Sequence, residues 1–300
     1  MSFLKRLWRR YGINPFEALL RRAQNKSHTR FLICWNRGLG DIPLGLYALV
    51  HRIREAIPVA EITFVTREDL ADGFKLLEGV RVVVDPKWKR GSPVQIDPAL
   101  VGLEDFDQII KYPDPTGWLM WQLGKLTPKL FWKAEWNLLS ESFTLDPHRT
   151  YIAVQVQTQT TYGYEKNWPL TYWQTFFKSL PPEYGVILLG FESPLKFEGE
   201  GIVDLRGKTS LLEMLSVIKN RCRYLLVPDS GVLSFMYYLD AAYPLEVISL
   251  WADPEQGILK QNVSSPNPLL VHTPLIAQNR DLSTVAVADV MSALLSRRPS

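Results

Sequence analysis

An alternation of short apolar runs with segments of helical periodicity organises most of this chain. Buried strands are predicted for eight runs, residues 31–35, 62–65, 81–84, 108–112, 151–156, 185–190, 224–227 and 246–250. Helices are predicted over residues 46–57, 68–77, 130–143, 170–180, 209–219 and 283–296, and in the segment after Gly231. Strands that alternate with helices predict two doubly wound α/β domains, each with a parallel sheet and with a cleft between them.

The positive charge is concentrated at the start of the chain. Residues 1–30 hold eight basic residues and one acidic residue, although the whole chain carries only +3. One helical face there is apolar and aromatic: Phe3, Leu4, Leu7, Trp8 and Tyr11. This pattern predicts that residues 1–26 contact an anionic membrane surface; the alternative is a helix that packs on the protein's own core. The predicted domains are then a basic segment 1–30, a domain 31–147 and a domain 148–300, whose closing helix is free to return toward the first domain.

Composition excludes several functional classes. The net charge of +3 argues against general nucleic-acid binding, and no apolar run approaches the roughly 20 residues that span a bilayer. No signal peptide is predicted, and the two cysteines fall in separate apolar runs, as expected in a reducing cytoplasm. The four histidines show no metal-ligand spacing, and no phosphate loop of the Gly-x-x-x-x-Gly-Lys-Ser/Thr kind occurs. We therefore expect neither a metal nor a resident cofactor.

A glycine-rich turn follows the first predicted strand. It contains Gly38, Gly40 and Asp41 and leads directly into the helix predicted over 46–57. Ligands of open α/β sheets bind at such carboxyl ends of strands, and glycines allow the backbone to approach a phosphate. Asp41 is either a catalytic group or only the cap of the following helix, and the turn alone does not decide between them.

Two further stretches carry polar residues to strand ends in the second domain. Lys166 lies on a loop after the strand at 151–156, where it is either a point charge for a phosphate or a solvated surface lysine. The turn Asp229-Ser230-Gly231 follows the strand at 224–227. Its polar side chains are expected either to cap the next helix or to hold a sugar or phosphate at the helix start. The Pro-punctuated aromatic segment 112–129 is either an acceptor-binding lid or a packed helix and loop.

In this order and spacing, the motifs resemble those of glycosyltransferase family 9, the ADP-heptose:lipopolysaccharide heptosyltransferases of GT-B architecture. The resemblance rests on the turn Gly40-Asp41, the motif Lys166-Asn167-Trp168-Pro169, the run from Asp204 to Leu211, and the turn Asp229-Ser230-Gly231. It covers roughly residues 31–296.

The resemblance implies an inverting, metal-independent transfer of a sugar, in the favoured case heptose from ADP-heptose. The acceptor is the lipopolysaccharide core or another glycan, at the inner face of the cytoplasmic membrane. Asp41 would be the general base on the acceptor hydroxyl. Lys166 would stabilise the departing diphosphate, and Asp229, Ser230 and Gly231 would bind donor sugar or phosphate.

Two positions depart from the family pattern. Ser234 stands where the family commonly has histidine, and Trp251 lies where the family often has Phe-Gly-x-Thr. These departures leave open a different donor sugar, a protein acceptor, or a GT-B-shaped scaffold that has lost catalysis.

Overall fold

The fold is built on two separate parallel β-sheets in a computed structural model that describes residues 14–159 and 163–296. The chain divides into two compact units, the first ending at Phe131 and the second beginning at Trp132. The strands are β1 Arg30–Trp35, β2 Glu61–Thr66, β3 Val80–Val84, β4 Gln108–Ile110, β5 Thr150–Val154, β6 Tyr184–Leu188, β7 Ile202–Asp204, β8 Tyr224–Pro228, β9 Leu245–Trp251 and β10 Leu270–Ile276. The α-helices are α1 Pro15–Asn25, α2 Tyr47–Ala56, α3 Ala71–Lys75, α4 Pro115–Trp118, α5 Leu170–Ser179, α6 Leu211–Arg221, α7 Gly231–Tyr238, α8 Gly257–Gln261 and α9 Val287–Leu295.

Both sheets have the strand order of doubly wound folds. The first unit has the order β3-β2-β1-β4, and the second has β10-β9-β8-β5-β6-β7. Every pairing between neighbouring strands is parallel. Counted within its own unit, the second sheet has the 3-2-1-4-5-6 order of dinucleotide-binding folds. The predicted class, two parallel doubly wound α/β domains, is confirmed.

Helix α1 belongs to the first unit. Its start is fixed by Asn14, whose side chain accepts a hydrogen bond from the Phe16 N–H. The Phe16 ring stacks on Trp118 with centroids 5.5 Å apart, and Leu20 and Ala23 are buried. Core packing therefore accounts for the apolar face of α1. The aromatic face predicted for membrane contact, Phe3 to Tyr11, lies outside the described residues.

Residues 112–129 pack within the first unit. Leu119 is buried, and the buried Gln122 donates from Nε2 to the Leu44 carbonyl over 2.8 Å. These contacts agree with the packed helix-and-loop alternative for this segment.

The segment Ala134–Ser142 differs from its prediction. It is a 3₁₀-helix, not an α-helix, and it packs against α6 of the second unit. Ser216 donates to the Asn137 carbonyl over 3.2 Å, and Lys219 Nζ donates to Asn137 Oδ1 over 2.9 Å. Because these contacts tie the segment to α6, the units divide at residues 131/132, before the predicted boundary at 147.

The carboxyl-terminal part of the second unit adds elements that periodicity did not predict. Strands β7 and β10 and helix α8 are absent from the prediction. The closing helix α9 packs against α5, β9 and β10 of its own unit. Over the described residues, no helix has the length and apolarity needed to cross a membrane. Both cysteines, Cys34 and Cys222, are free and buried, as predicted.

Strand β10 forms one edge of the second sheet and contains Pro274. Ala277, just past the strand, donates its N–H to the Trp251 carbonyl of β9. Since successive N–H groups of a strand alternate in direction, the Pro274 nitrogen lies on the side away from β9. The position that lacks a donor is therefore on the outer side of this edge strand.

Candidate functional site

The loops after β5 and β8 carry the predicted polar residues of the second unit. These strands are neighbours at the point where the strand order reverses, which is where doubly wound sheets bind ligands. Lys166 lies after β5, and Asp229 and Ser230 follow β8 directly.

Lys166 and Asp229 form a buried ion pair. Lys166 Nζ donates to Asp229 Oδ2 over 2.5 Å, and their side chains are only 9% and 12% exposed. The solvated-surface alternative for Lys166 is therefore wrong. Because the pair is within one unit, Asp229 holds the ammonium at a fixed point of the strand ends.

The other oxygen of Asp229 explains why Gly257 is glycine. A Cβ at Gly257 would lie 2.5 Å from Asp229 Oδ1 and 2.8 Å from the Trp251 ring, and its φ is +51°. Only glycine fits such a space and adopts this angle readily. Trp251, one of the two positions that depart from the family pattern, therefore lies beside the Asp229 carboxylate.

The loop that carries Lys166 is anchored on its carboxyl side. Glu165 Oε1 accepts from the backbone N–H groups of Lys166 and Asn167, over 2.9 Å and 2.7 Å. The Asn167 side chain bonds both backbone groups of Thr158. Trp168 is buried and donates from its indole to the Val285 carbonyl over 2.8 Å.

Ser230 caps helix α7, which begins at Gly231. Its Oγ accepts from the Leu233 N–H over 3.3 Å and donates to Gln155 Oε1 over 2.8 Å. The structure therefore agrees with the capping alternative for Ser230. Ser234 is buried and donates to the Ser230 carbonyl over 3.2 Å, so the residue at the family's histidine position is folded back onto the helix.

A cavity of about 280 Å³ opens beside these loops in the second unit. Its walls come from the residues that follow β5, β6 and β7: Val156, Gln157, Thr158, Gln159, Leu189, Phe191, Glu192 and Arg206. Gln155 joins the cavity to the α7 cap, because it accepts from Ser230 and donates to the Gln157 carbonyl over 3.1 Å.

Arg206 lines this cavity and is held by several contacts. It is buried, pairs with Asp204 over 2.7 Å, and holds the pKa of that carboxyl below its usual value, chiefly by hydrogen bonding. Its Nη1 is buried without a hydrogen-bond partner. Sequence reasoning identified Arg206 only as part of the run 204–211 and missed Gln157 and Glu192. Their position immediately after predicted strands was the available signal.

A chain of hydrogen bonds links Trp251 to Ser249 and His272. Its indole donates to Ser249 Oγ over 2.6 Å, and Ser249 Oγ lies 2.6 Å from His272 Nε2. Since an indole N–H can only donate, the Ser249 hydroxyl hydrogen is available to His272. Burial lowers the pKa of His272 to about 4, so the ring is a neutral imidazole at pH 7, and its tautomer decides whether Nε2 accepts from Ser249 or donates to it.

In the first unit, Asp41 stands at the start of a π-helical turn, Ile42–Leu46, that precedes α2. Its side chain makes no capping hydrogen bond, which weakens the cap alternative. A Cβ at Gly38 would lie 2.6 Å from Asp41 Oδ2, so glycine at 38 leaves room for this carboxylate. The Gly40 carbonyl accepts from the Leu44 N–H over 3.3 Å. π-Turns occur disproportionately at functional sites.

Among residues 14–159 and 163–296, no group of three or more His, Cys, Asp and Glu side chains has an arrangement that could hold a metal ion.

Comparisons with known proteins bear on the fold. No protein-family model matches the sequence. No curated protein matches it. Among solved structures, the chain is similar to an Escherichia coli ADP-heptose lipopolysaccharide heptosyltransferase II, with a TM-score of 0.63, 16% identity, and coverage of 89% of this chain and 98% of that one.

Two further solved structures are similar to this chain over nearly their whole length. A glycosyl transferase family 9 protein from Veillonella parvula has a TM-score of 0.55 at 14% identity, covering 89% of this chain and 96% of that one. The E. coli heptosyltransferase WaaC with ADP-2-deoxy-2-fluoro heptose has a TM-score of 0.52 at 15% identity, covering 89% and 99%. With its two parallel doubly wound sheets, the chain has the GT-B fold of these glycosyltransferases.

Proposed function

We propose that the protein is a glycosyltransferase that takes its sugar from a nucleotide-sugar donor. The observation that carries this proposal is the buried Lys166–Asp229 pair at the reversal point of the second sheet, beside the α7 start and the cavity at Arg206. A fixed ammonium and the first N–H groups of a helix together suit a diphosphate. The likeness to heptosyltransferase structures, one of them with an ADP-heptose analogue, supports the same function.

The cavity suits the nucleoside of such a donor. Its volume of about 280 Å³ is near the lower end of the range for small-molecule sites. Phe191, which is 63% exposed, offers a ring for stacking on a base. The Glu192 carboxylate can accept from ribose hydroxyls, and Arg206 Nη1 is a buried donor without a protein partner.

Transfer is proposed to invert the anomeric carbon without a metal ion. Asp41 takes the proton of the acceptor hydroxyl as its oxygen attacks the anomeric carbon. The bond to the diphosphate breaks, and Lys166 and the start of α7 stabilise the charge that develops on the leaving group. Asp229 and Ser230 position the Lys166 ammonium and the α7 start, and Gly231 gives the donor close access to this backbone. Heptose and a lipopolysaccharide-core acceptor are the favoured substrates.

The first experiment is thermal unfolding of the full chain with ADP, UDP, GDP and ADP-heptose. A ligand at 100 times its dissociation constant adds about 2.7 kcal/mol to the native state. We expect a shift with ADP and ADP-heptose. A shift with UDP or GDP alone would indicate a donor that carries that nucleotide in place of ADP. No shift with any nucleotide favours the scaffold alternative.

Matched variants assign the residues. Lys166→Ala is expected to weaken ADP binding about 10- to 100-fold, since a charged hydrogen bond contributes about 1.5–3 kcal/mol. The control is Lys219→Ala, which removes a half-buried lysine of the same unit, on α6. Asp41→Asn should keep ADP binding and lower turnover about 100- to 10,000-fold. Equal turnover of Asp41→Asn and wild type would exclude Asp41 as the base.

We propose that the protein acts at the inner face of the cytoplasmic membrane, which it contacts through residues 1–26. Sedimentation with anionic vesicles should decrease when these residues are deleted and at high salt. Equal sedimentation of the deleted chain would remove the membrane proposal and leave the transferase proposal intact.

A further inference from the structure

We propose that Arg280 is a positioning residue that fixes the Lys166 loop for donor binding. The assignment of Lys166 to the donor rests on the proposed function above; the contacts of Arg280 do not. Arg280 lies after β10, on a turn that sequence reasoning did not single out.

The turn that carries Arg280 is strained. Gln278 and Asp281 form an antiparallel bridge, and the two residues between them, Asn279 and Arg280, have φ of +52° and +61°. Turns with two positive φ angles strongly favour Asn-Gly, so arginine at the second position costs free energy that glycine would not. The side chain of Arg280 is therefore the feature to explain.

That side chain joins two other loops at the same end of the sheet. Arg280 Nη2 lies 2.9 Å from Asp253 Oδ2, and the Asp253 side chain, just past β9, is only 4% exposed. The guanidinium carbon lies 5.3 Å from the centroid of the Tyr164 ring, a cation–π distance. Tyr164 precedes Lys166 by two residues.

The two ends of the Lys166 loop are thus held by different contacts. Asn167 and Trp168 fix the carboxyl side through Thr158 and Val285. Arg280 and Asp253 hold Tyr164 on the amino side. A guanidinium can pair with a carboxylate and stack on a ring at once, which an ammonium does less well. Removal of Arg280 should release the amino side of the loop while the ion pair of Lys166 with Asp229 remains.

The test compares three variants of the full chain. Arg280→Gly removes the side chain and relieves the strain. Arg280→Lys keeps the charge near Asp253 without the planar group. Asn279→Gly is the matched control, because it relieves strain in the same turn and keeps Arg280.

The first readout is hydrogen exchange without ligand at the Lys166 amide, which donates to the side chain of Glu165, the residue next to Tyr164. We expect exchange at least fivefold faster in Arg280→Gly, an intermediate effect in Arg280→Lys, and no change in Asn279→Gly. Unchanged exchange in Arg280→Gly overturns the proposal.

The second readout is ADP affinity well below the unfolding temperature, which a purely structural role would not change. We expect about tenfold weaker binding for Arg280→Gly, about threefold for Arg280→Lys, and wild-type binding for Asn279→Gly. Equal affinity of Arg280→Gly and wild type overturns the proposal. If the wild type itself binds no nucleotide, the proposed function fails, and the exchange comparison alone decides whether Arg280 holds the loop. If Arg280→Gly does not fold, Arg280→Lys carries both readouts.

Discussion

At the scale of single residues, the second unit withdraws a pair of opposite charges, Lys166 and Asp229, almost entirely from water. Desolvation of two ions costs free energy that their attraction repays only in good geometry. Such a pair is better suited to place a charge at a fixed point than to stabilise the fold.

Lys166→Ala leaves the Asp229 carboxylate buried without its ammonium. We expect the free energy of unfolding, measured with urea, to fall by about 3 kcal/mol. The double variant Lys166→Met/Asp229→Leu should recover most of this stability, because it removes both desolvated charges, while ADP binding stays lost. A double variant as unstable as Lys166→Ala would show that the pair itself stabilises the fold.

His272 should make stability depend on pH. Burial lowers its pKa in the folded protein to about 4, below the ordinary value of 6.5. Between these values the unfolded chain takes up a proton that the native chain does not, so stability is complete above pH 6.5 and falls as the pH approaches 4. The expected loss is about 3 kcal/mol.

His272→Asn removes this titration. The difference in unfolding free energy between wild type and variant should shrink or reverse as the pH falls from 7 to 4. Parallel curves for the two proteins would show that His272 titrates normally.

The residue types of the candidate site were predictable, but their partners were not. Asp41, Lys166, Asp229 and Ser230 were predicted because they follow apolar runs at strand ends. The Lys166–Asp229 contact joins residues 63 positions apart. It depends on β5 and β8 being neighbours, which a pattern of apolar runs does not specify. The roles proposed for these four residues in sugar transfer remain predictions.

At the scale of elements, the strands with continuous apolar runs were predicted to within a few residues. Strand β7 is only three residues long, and β10 is interrupted by His272, Thr273 and Pro274, so neither shows a recognisable period. Residues 130–143 were predicted as a helix, but Ala134–Ser142 form a 3₁₀-helix in which only Trp136 and Ser140 are buried.

Asn137 is the main polar anchor of this segment on α6. Its Oδ1 accepts from Trp132 Nε1 and from Lys219 Nζ, each over 2.9 Å. Asn137→Ala removes the acceptor of Trp132 Nε1 and leaves Lys219 Nζ with Asn220 Oδ1, so it should lower the free energy of unfolding by about 1–3 kcal/mol. Ser142→Ala, in the same segment at an exposed position, is the control and should change it by less than about 0.5 kcal/mol. Equal effects would show that the segment is not held by Asn137.

At the scale of the whole molecule, alternation of strands and helices was enough to predict two parallel doubly wound sheets. The boundary between the domains was not predicted correctly. Residues 145–150 contain the Asp146-Pro147 pair typical of a linker, yet the preceding segment around Asn137 already packs on α6. Packing of this kind depends on side chains contributed from about 80 residues further along.

We expect Pro274 to limit association between molecules in concentrated solution. An edge strand with a full row of outward N–H groups can pair with the edge of another copy, and proline removes one of those donors. Pro274→Ser should therefore scatter more light on heating, with an onset temperature that falls as protein concentration rises. Pro58→Ser, at an exposed turn, is the control. If both variants aggregate alike, this edge does not govern association.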